Sequence, residues 1–235
     1  MRILVASVYN EESLKWFEIQ SEFIKRNTSS EFNHVVFFHG VMDGFFGLRC
    51  ESQDAREQHV FGIEKILEEF RNNATYTHCL ILDSDAFPVE KGWDIKIQAI
   101  MEGKSCSSAC PIRFENLDTF FHPCVIFFNR DALSLSVGIK ESKNLIYYEF
   151  EEVVVSPPGR TFPLLRTNVL SPHPVAASIY YDMFYHHGFG SRDFQCRSVH
   201  VNDYYLNCPG LDSLNKQFFS NPRSFVGKLR GRKTT

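Results

Sequence analysis

Two aspartates one residue apart follow an unbroken apolar stretch of this chain. Residues 79–82 are Cys-Leu-Ile-Leu, Asp83 and Asp85 come next, and Pro88 closes the segment. Such a run, bounded by a turn signal, is typical of a strand buried on both faces of a parallel sheet. Ligands bind beyond the carboxyl ends of such strands, where carboxylate oxygens suit a hard divalent cation. The spacing predicts a metal site that can hold a diphosphate; a strand ending in a solvated Asp turn is the alternative.

The elements that must position this pair alternate between strands and helices. Residues 2–8 and 34–39 are apolar runs typical of buried strands, and residues 12–26 carry apolar side chains at helical spacing. This β-α-β order predicts a parallel pair of strands with a right-handed crossover. A second helix is predicted to begin at Asp54, because Asp54 and Glu57 have capping-box spacing.

The rest of the chain gives further elements with weaker patterns. A helix is predicted over residues 92–101, and strands over residues 107–112, 123–129 and 153–155. The basic end of the chain, residues 228–233, is predicted to be solvated and mobile. The predicted fold class is therefore α/β, with a mostly parallel central sheet flanked by helices and a smaller, irregular C-terminal part.

Composition narrows the class of protein. Hydrophobic residues make up 43% of the 235 residues and charged residues 23%, as in ordinary globular proteins. The formal net charge of −3 does not indicate nucleic-acid binding. No stretch reaches the roughly 18 apolar residues of a membrane span, and the first apolar run is too short for a signal peptide. Seven cysteines without a Cys-x-x-Cys pair argue against a zinc knuckle and for reduced thiols in a cytoplasmic protein.

The Asp-x-Asp pair with its proline, followed by Gly-Trp at 92–93, resembles a run found in nucleotide-sugar-dependent glycosyltransferases of the GT-A class. The resemblance covers residues 2–130 and implies a GT-A-like, Rossmann-like fold. It implies a single domain over residues 1–235. Residues 1–105 would be its nucleotide-binding half, and residues 106–235 its acceptor-binding half and C-terminal region.

The resemblance also implies roles for particular side chains. Asp85 would be the firmest ligand of a Mn²⁺ or Mg²⁺ ion, with Asp83 second, directly or through water. Many members of the class add a histidine from the C-terminal half. His186 or His187 matches, since both precede glycines that let a backbone approach a phosphate. Residues implied at the nucleotide and its diphosphate are Ser7, Val8, Tyr9, Asn10, Ser84, Arg56 and Arg192. The arginines are included because guanidinium binds phosphate oxygens bidentately; plain polar histidines and surface salt bridges are the alternatives.

The implied activity is transfer of a hexose-like sugar from a UDP- or GDP-linked donor to a hydroxyl group. The acceptor would be a glycan, a lipid or a protein. An inverting transfer also needs a carboxylate base at the acceptor. The Glu-Asp pair common in inverting members is absent, so inversion and retention both stay open. Candidate bases are Glu149, Glu151, Glu152, Asp182 and Asp193.

Three other functions use similar features. A haloacid-dehalogenase-type phosphatase also has a strand ending in Asp-x-Asp, but carries Thr or Val two residues after the second Asp, where this chain has Phe87. A nucleotidyltransferase normally has a Gly-rich loop with Arg or Lys after its first strand, where this chain has Tyr-Asn-Glu-Glu at 9–12. A non-catalytic module that binds nucleotide sugars is the third alternative.

Overall fold

The structure is a computed structural model of the chain. It describes residues 1–40, 43–49, 55–115, 118–135, 146–149, 152–155, 159–168, 176–188 and 211–231. Its strands are β1 (Arg2–Tyr9), β2 (Glu31–His39), β3 (Phe46–Leu48), β4 (His78–Leu82), β5 (Ala86–Pro88), β6 (Ser108–Glu115), β7 (Asp118–Phe121), β8 (Val125–Asn129), β9 (Ile146–Glu149), β10 (Glu152–Val155), β11 (Thr161–Leu164), β12 (Ser178–Tyr180) and β13 (Phe184–His186). Its helices are α1 (Phe17–Asn27), α2 (Ala55–Asn72), α3 (Trp93–Gly103), α4 (Arg130–Leu135), α5 (Leu211–Ser220) and α6 (Pro222–Leu229).

The central sheet has the strand order β11-β6-β8-β4-β1-β2-β3. β1 is parallel to both of its neighbours, β2 and β4. The outer pairs β2–β3 and β11–β6 are also parallel, and β8 is antiparallel to β4 and to β6. Because one strand is reversed among the seven on this path, the sheet is mostly parallel. The predicted fold class, α/β with a mostly parallel sheet flanked by helices, is confirmed.

Apolar side chains project from both faces of the central strands, as the unbroken apolar runs in the sequence predict. On β1, Leu4 and Ala6 pack with α2 in one core cluster. Ile3 and Val5 point the other way and pack with α3 in a second cluster. The side chains of β4 alternate between the same two clusters, since neighbouring side chains of a strand point to opposite faces. The sheet is therefore covered by helices on both sides.

The first helix begins later than predicted. The expected helix over residues 12–26 is α1 only from Phe17, and residues Glu11–Trp16 form a 3₁₀ helix. The Asn10 side chain accepts from the Ser13 N–H at 3.0 Å, and Ser13 Oγ accepts from the Asn10 N–H at 2.9 Å. This reciprocal cap accounts for a helical turn that begins at Glu11. Asp54, expected to begin the second helix, lies outside the described residues, one position before α2.

The prediction of a mobile basic tail is wrong for residues 228–231. Helix α6 continues to Leu229, and the Arg230 side chain that follows is only 6% exposed. Arg230 Nη1 donates to the carbonyl oxygen of Val89 at 2.8 Å, and Nη2 pairs with the Glu90 carboxylate. The charged end of the chain is thus bound to the segment after β5. In the parts of the chain that the structure describes, no helix combines the length and apolar character needed to cross a membrane.

The close approach of α2 to β1 depends on Gly62. A Cβ at this position would lie 2.6 Å and 2.7 Å from the two Cγ atoms of Val8. We predict that Gly62→Ala lowers the free energy of unfolding by about 1–3 kcal/mol, because it overpacks this contact. Gly103→Ala is the control, since a Cβ there meets nothing within 4 Å. Urea unfolding measures both variants, and adding Val8→Ala to Gly62→Ala should recover part of the loss. Equal effects of the two glycine variants would contradict the proposed contact.

A second prediction concerns His34 on β2. Burial lowers the pKa of His34 to about 4, and its Nε2 has no hydrogen-bond partner among the described residues. Between pH 6.5 and 4 the unfolded chain takes up this proton before the folded protein does, so stability falls as the pH falls. The free energy of unfolding of His34→Leu, relative to wild type, should rise by up to about 2 kcal/mol between pH 7 and pH 5. Urea unfolding at both pH values tests this, and a pH-independent difference would contradict it.

Candidate metal centre

The two aspartates lie in the turn that joins β4 to β5, at the carboxyl end of β4. The turn is closed by a hydrogen bond from the Ala86 N–H to the Asp83 carbonyl oxygen at 3.0 Å. Asp85 is 3% exposed and the Asp83 side chain 20% exposed. The carboxylates are thus turned into the protein, at the sheet edge where the sequence predicts them, and away from bulk solvent.

His186 joins the aspartates because of the pairing of two short strands. β13 is antiparallel to β5, and the register places His186 opposite Ala86, directly after the aspartate turn. Its Nε2 lies 3.4 Å from Asp85 Oδ1 and 3.7 Å from Asp83 Oδ2. One ligand atom from each of the three side chains can be chosen so that all lie within 4.8 Å of one another.

The chemistry of these three side chains fits a divalent cation. Asp83 Oδ1 is buried and accepts no hydrogen bond from any described residue. A buried carboxylate oxygen without a donor is costly, and a cation bound there would relieve that cost. Carboxylates suit Mg²⁺ and Mn²⁺, and an imidazole moves the preference towards transition-metal ions.

His187 is turned away from the aspartates, because successive side chains of extended backbone point to opposite faces. The Tyr185 hydroxyl donates to its Nδ1 at 2.6 Å, and its Nε2 donates to Asn215 Oδ1 at 2.6 Å. Its ring packs on Trp16, with ring centroids 4.8 Å apart. Burial lowers the pKa of His187 to about 4, so the ring is neutral at pH 7. The structure brings His186 to the aspartates and does not bring His187.

Gln20 on α1 is a buried residue that sequence reasoning missed. Its Nε2 donates to the carbonyl oxygens of Asp83 at 2.8 Å and Ala86 at 2.7 Å. Its Oε1 accepts from Ser7 Oγ at 2.8 Å and from the Tyr9 hydroxyl at 2.9 Å. One side chain therefore ties the end of β1 to both sides of the aspartate turn. The signal in the sequence was a polar residue at helical spacing within the apolar face of α1.

His59 on α2 is the second residue that sequence reasoning missed. Its Nε2 lies 3.3 Å from Asp83 Oδ1, without the alignment of a hydrogen bond, and its side chain is 24% exposed. Asp83 therefore lies between the imidazoles of His59 and His186. No pattern around His59 in the sequence indicates this position, which depends on how α2 packs on the sheet.

Residues at the end of β1 contact the site from inside the protein. Ser7 and Tyr9 are buried and bind Gln20, and the Asn10 side chain caps the 3₁₀ helix. Val8 packs against the helix α2 at Gly62. Contact of residues 7–10 with a nucleotide base stays a prediction.

Tyr9 also reaches the aspartate turn. Its hydroxyl lies 3.3 Å from the carbonyl oxygen of Ser84, a residue that is 5% exposed and was predicted to lie near the ribose. Burial, and then the charge of Asp85, raise the pKa of Tyr9 well above its ordinary value of 10. The hydroxyl therefore stays protonated and remains a hydrogen-bond donor to the framework.

Among the predicted bases and arginines, the structure describes the side chain of Asp182 alone, and it does not bring Asp182 to the aspartates. Asp182 is exposed, in the turn between β12 and β13, with φ of +54°. This turn is at the opposite end of the β12–β13 hairpin from His186. The other predicted positions, the side chains of Arg56, Glu149 and Glu152 and the residues Glu151, Arg192 and Asp193, lie outside what the structure describes.

The Gly-Trp pair after the aspartates has a structural role. Gly92 has φ of +69°, in the left-handed region that favours glycine, and leads into α3. Trp93 Nε1 donates to Thr28 Oγ1 at 3.1 Å. The buried Asp94 carboxylate accepts from the Ser29 and Ser30 N–H groups at 3.0 Å and 2.7 Å. These contacts fix the start of α3 to the loop between α1 and β2.

No protein-family model matches the sequence, and no curated protein matches it. Partial likeness exists to solved glycosyltransferase structures. One is a glycosyltransferase involved in glycosylation of the major capsid of PBCV-1, with 14% identity, a TM-score of 0.41, and coverage of 58% of this chain and 64% of that one. Another is the mannosyltransferase PcManGT from Pyrobaculum calidifontis in complex with GDP-Man and Mn²⁺, with 12% identity, a TM-score of 0.42, and coverage of 58% and 46%.

A third is S. aureus TarS 1–349 in complex with UDP-GlcNAc. It has 11% identity, a TM-score of 0.39, and coverage of 74% of this chain and 63% of that one. The chain thus spans less than two thirds of the length of each of the three. At these values the likeness is partial, and the geometry of Asp83, Asp85 and His186 is what supports the function proposed below.

Gln20 offers a test of the framework around the aspartates. We predict that Gln20→Met, which keeps the approximate volume, lowers the free energy of unfolding by about 2–4 kcal/mol, because it leaves several buried polar groups without partners. Gln217→Met is the matched control, since Gln217 is exposed on α5 and should change stability by about 0.5 kcal/mol or less. Urea unfolding measures both, and a Gln20→Met protein as stable as the control would contradict this role.

Proposed function

We propose that this chain is a metal-dependent glycosyltransferase of the GT-A class, which transfers a sugar from a nucleotide-diphosphate donor to an acceptor hydroxyl. The observation that carries the proposal is the buried group formed by Asp83, Asp85 and His186 at the carboxyl end of β4. That is where ligands bind in open α/β sheets. The Asp-x-Asp resemblance noted in the sequence supports the same class.

Three side chains would hold a divalent cation, Mn²⁺ or Mg²⁺. Asp83 and Asp85 supply carboxylate oxygens, and His186 supplies a ring nitrogen. A divalent cation bound there neutralises negative charge that develops on a diphosphate leaving group, as a Lewis acid and template. Without it, two carboxylates at this position repel a diphosphate. Proton transfer from the acceptor hydroxyl stays unassigned, as does the stereochemical outcome.

The framework residues keep the ligands in place. Gln20 binds the carbonyl groups of the aspartate turn, and the His187 N–H donates to the Asp85 carbonyl oxygen at 3.0 Å. These bonds use backbone oxygens and not the carboxylate oxygens that would bind a cation. Positioning by groups that do not change during the reaction lowers the cost of reorganisation.

The finer parts of the proposal come from the sequence. They are a UDP- or GDP-linked hexose donor, a cytoplasmic location, and a division of the chain into a nucleotide-binding half over residues 1–105 and an acceptor-binding half over residues 106–235. Arg56 and Arg192 are proposed to bind the diphosphate. Since a +2 ion on two carboxylates leaves no net positive charge, such guanidinium groups would supply the remaining attraction for the donor.

The proposal predicts that Asp85→Asn weakens Mn²⁺ binding at least about tenfold, because an amide of the same shape lacks the negative charge. Asp182→Asn is the matched control, since Asp182 lies at the far end of the hairpin. Calorimetric titration with MnCl₂ measures the metal, and thermal shift with UDP and GDP, with and without Mn²⁺, measures linked nucleotide binding.

Wild-type protein and Asp182→Asn should be stabilised by UDP or GDP only when Mn²⁺ is present, and Asp85→Asn should not be. Release of UDP or GDP from a panel of sugar donors then tests turnover. If Asp85→Asn binds Mn²⁺ as tightly as wild-type protein does, the assignment of Asp85 as a metal ligand is wrong. Binding of a nucleotide sugar without turnover on any acceptor would favour the non-catalytic module.

A further inference from the structure

A second set of possible metal ligands lies beside the first and shares one residue with it. His122, Cys124 and His186 each offer a ligand atom, and these atoms can be chosen within 4.8 Å of one another. The first set consists of two carboxylates and an imidazole. The second consists of a thiol and two imidazoles, which is a different chemistry.

The fold brings this second set together through the connection between β7 and β8. Cys124 comes directly before β8, and its carbonyl oxygen accepts from the Asp83 N–H at 3.0 Å. It therefore lies opposite the start of the aspartate turn, and it is fully buried. The His122 ring lies beside the His186 ring, with centroids 5.3 Å apart and planes at 40°. The set thus draws on two segments, the β7–β8 connection and β13, which meet beside the aspartate turn.

A hydrogen bond from the backbone fixes the orientation of the His122 ring. The Cys124 N–H donates to His122 Nδ1 at 3.2 Å, and a backbone N–H can only donate. Nδ1 is therefore the unprotonated nitrogen in the neutral ring, and its lone pair accepts this bond. A cation placed between the two residues would take this lone pair in exchange for the hydrogen bond.

The donor atoms select the kind of ion. Thiolate and imidazole suit Zn²⁺, which binds three protein ligands with water as a fourth in open sites. Donor atoms in tetrahedral zinc sites lie about 3.3–3.8 Å apart, from bond lengths of about 2.0–2.3 Å. The present spacing reaches that value with side-chain shifts of about 1 Å. Binding replaces the S–H bond of Cys124 by an S–Zn bond and releases one proton to solvent.

We propose that His122, Cys124 and His186 form a Zn²⁺ site, and that Zn²⁺ bound there excludes Mn²⁺ from the aspartate site by taking His186. The zinc site itself does not depend on the proposed glycosyltransferase function. The antagonism between the two ions does rest on it, since it needs the Asp83–Asp85–His186 set to bind Mn²⁺. The consequence for the protein is inhibition by Zn²⁺.

The test is a pair of metal titrations on metal-free, full-length protein. Zn²⁺ binding is measured by competition with a chromophoric chelator, and Mn²⁺ binding by calorimetry. Cys124→Ser and His122→Asn should weaken Zn²⁺ binding at least tenfold and leave Mn²⁺ binding within twofold. Asp85→Asn should weaken Mn²⁺ binding at least tenfold and leave Zn²⁺ binding within twofold, and His186→Ala should weaken the binding of both ions. Cys106→Ser is the control, since Cys106 lies between α3 and β6, outside both sets, and should change the binding of neither ion.

Cobalt gives a direct signature of the thiolate. Co²⁺ added to wild-type protein should produce a sulfur-to-metal charge-transfer absorption in the near ultraviolet, which Cys124→Ser and Cys124→Ala should both remove. Thermal melting of each variant without metal shows whether it is folded, and Cys124→Ala replaces Cys124→Ser if the serine variant is not. In wild-type protein, one equivalent of Zn²⁺ should weaken Mn²⁺ binding at least tenfold.

Three results would overturn the proposal. If wild-type protein and folded Cys124→Ala bind Zn²⁺ with equal affinity, Cys124 is not a ligand and the proposed zinc site is wrong. Loss of Zn²⁺ binding in Asp85→Asn would show one mixed site instead of two alternatives. Unchanged Mn²⁺ affinity in zinc-loaded protein would remove the antagonism. If Asp85→Asn instead leaves Mn²⁺ binding intact while Cys124→Ser abolishes Zn²⁺ binding, the proposed function falls and the zinc site stands.

Discussion

The arrangement of this protein depends on two carboxylates held together where water has little access. Asp85 is almost fully buried, and one oxygen of Asp83 is buried without a hydrogen bond from any described residue. Two negative charges on oxygens within 4.8 Å of one another would repel by more than about 3 kcal/mol at an effective dielectric constant of about 20. Only a positive charge turns this repulsion into attraction. The imidazoles of His59 and His186 approach Asp83, with Nε2 at 3.3 Å and 3.7 Å from its carboxylate oxygens.

The framework around the aspartates is built from uncharged groups that bind backbone atoms. Gln20 makes its hydrogen bonds to carbonyl oxygens of the aspartate turn and to the hydroxyls of Ser7 and Tyr9. A lysine or arginine at such a position would neutralise the carboxylates and compete with a cation. A neutral amide holds the turn rigidly and leaves the charge uncompensated. The position of the aspartate turn is therefore controlled by neutral groups such as Gln20, and the charge of the site comes from the two carboxylates.

His186 connects the two proposed metal sites because β13 pairs with β5 in a single register. One neighbour is a pair of hard carboxylates, and the other is the thiol of Cys124 with the imidazole of His122. Hard and soft ligands that share one histidine favour different ions. The same register turns His187 into the aromatic cluster formed with Trp16 and Tyr185, where burial keeps it neutral.

The sequence by itself determined the local features whose physics is short-range. The apolar run at 79–82 predicts a strand covered on both faces, and Asp83 and Asp85 follow at its carboxyl end. The β-α-β order and the mostly parallel sheet also follow from periodicity. Only the tertiary structure decided which distant groups meet these aspartates. His186 rather than His187 faces them because of a one-residue register, and Gln20, His59 and Cys124 join through packing of α1, α2 and β8. Such contacts depend on distances across the fold, and residue spacing along one chain does not contain them.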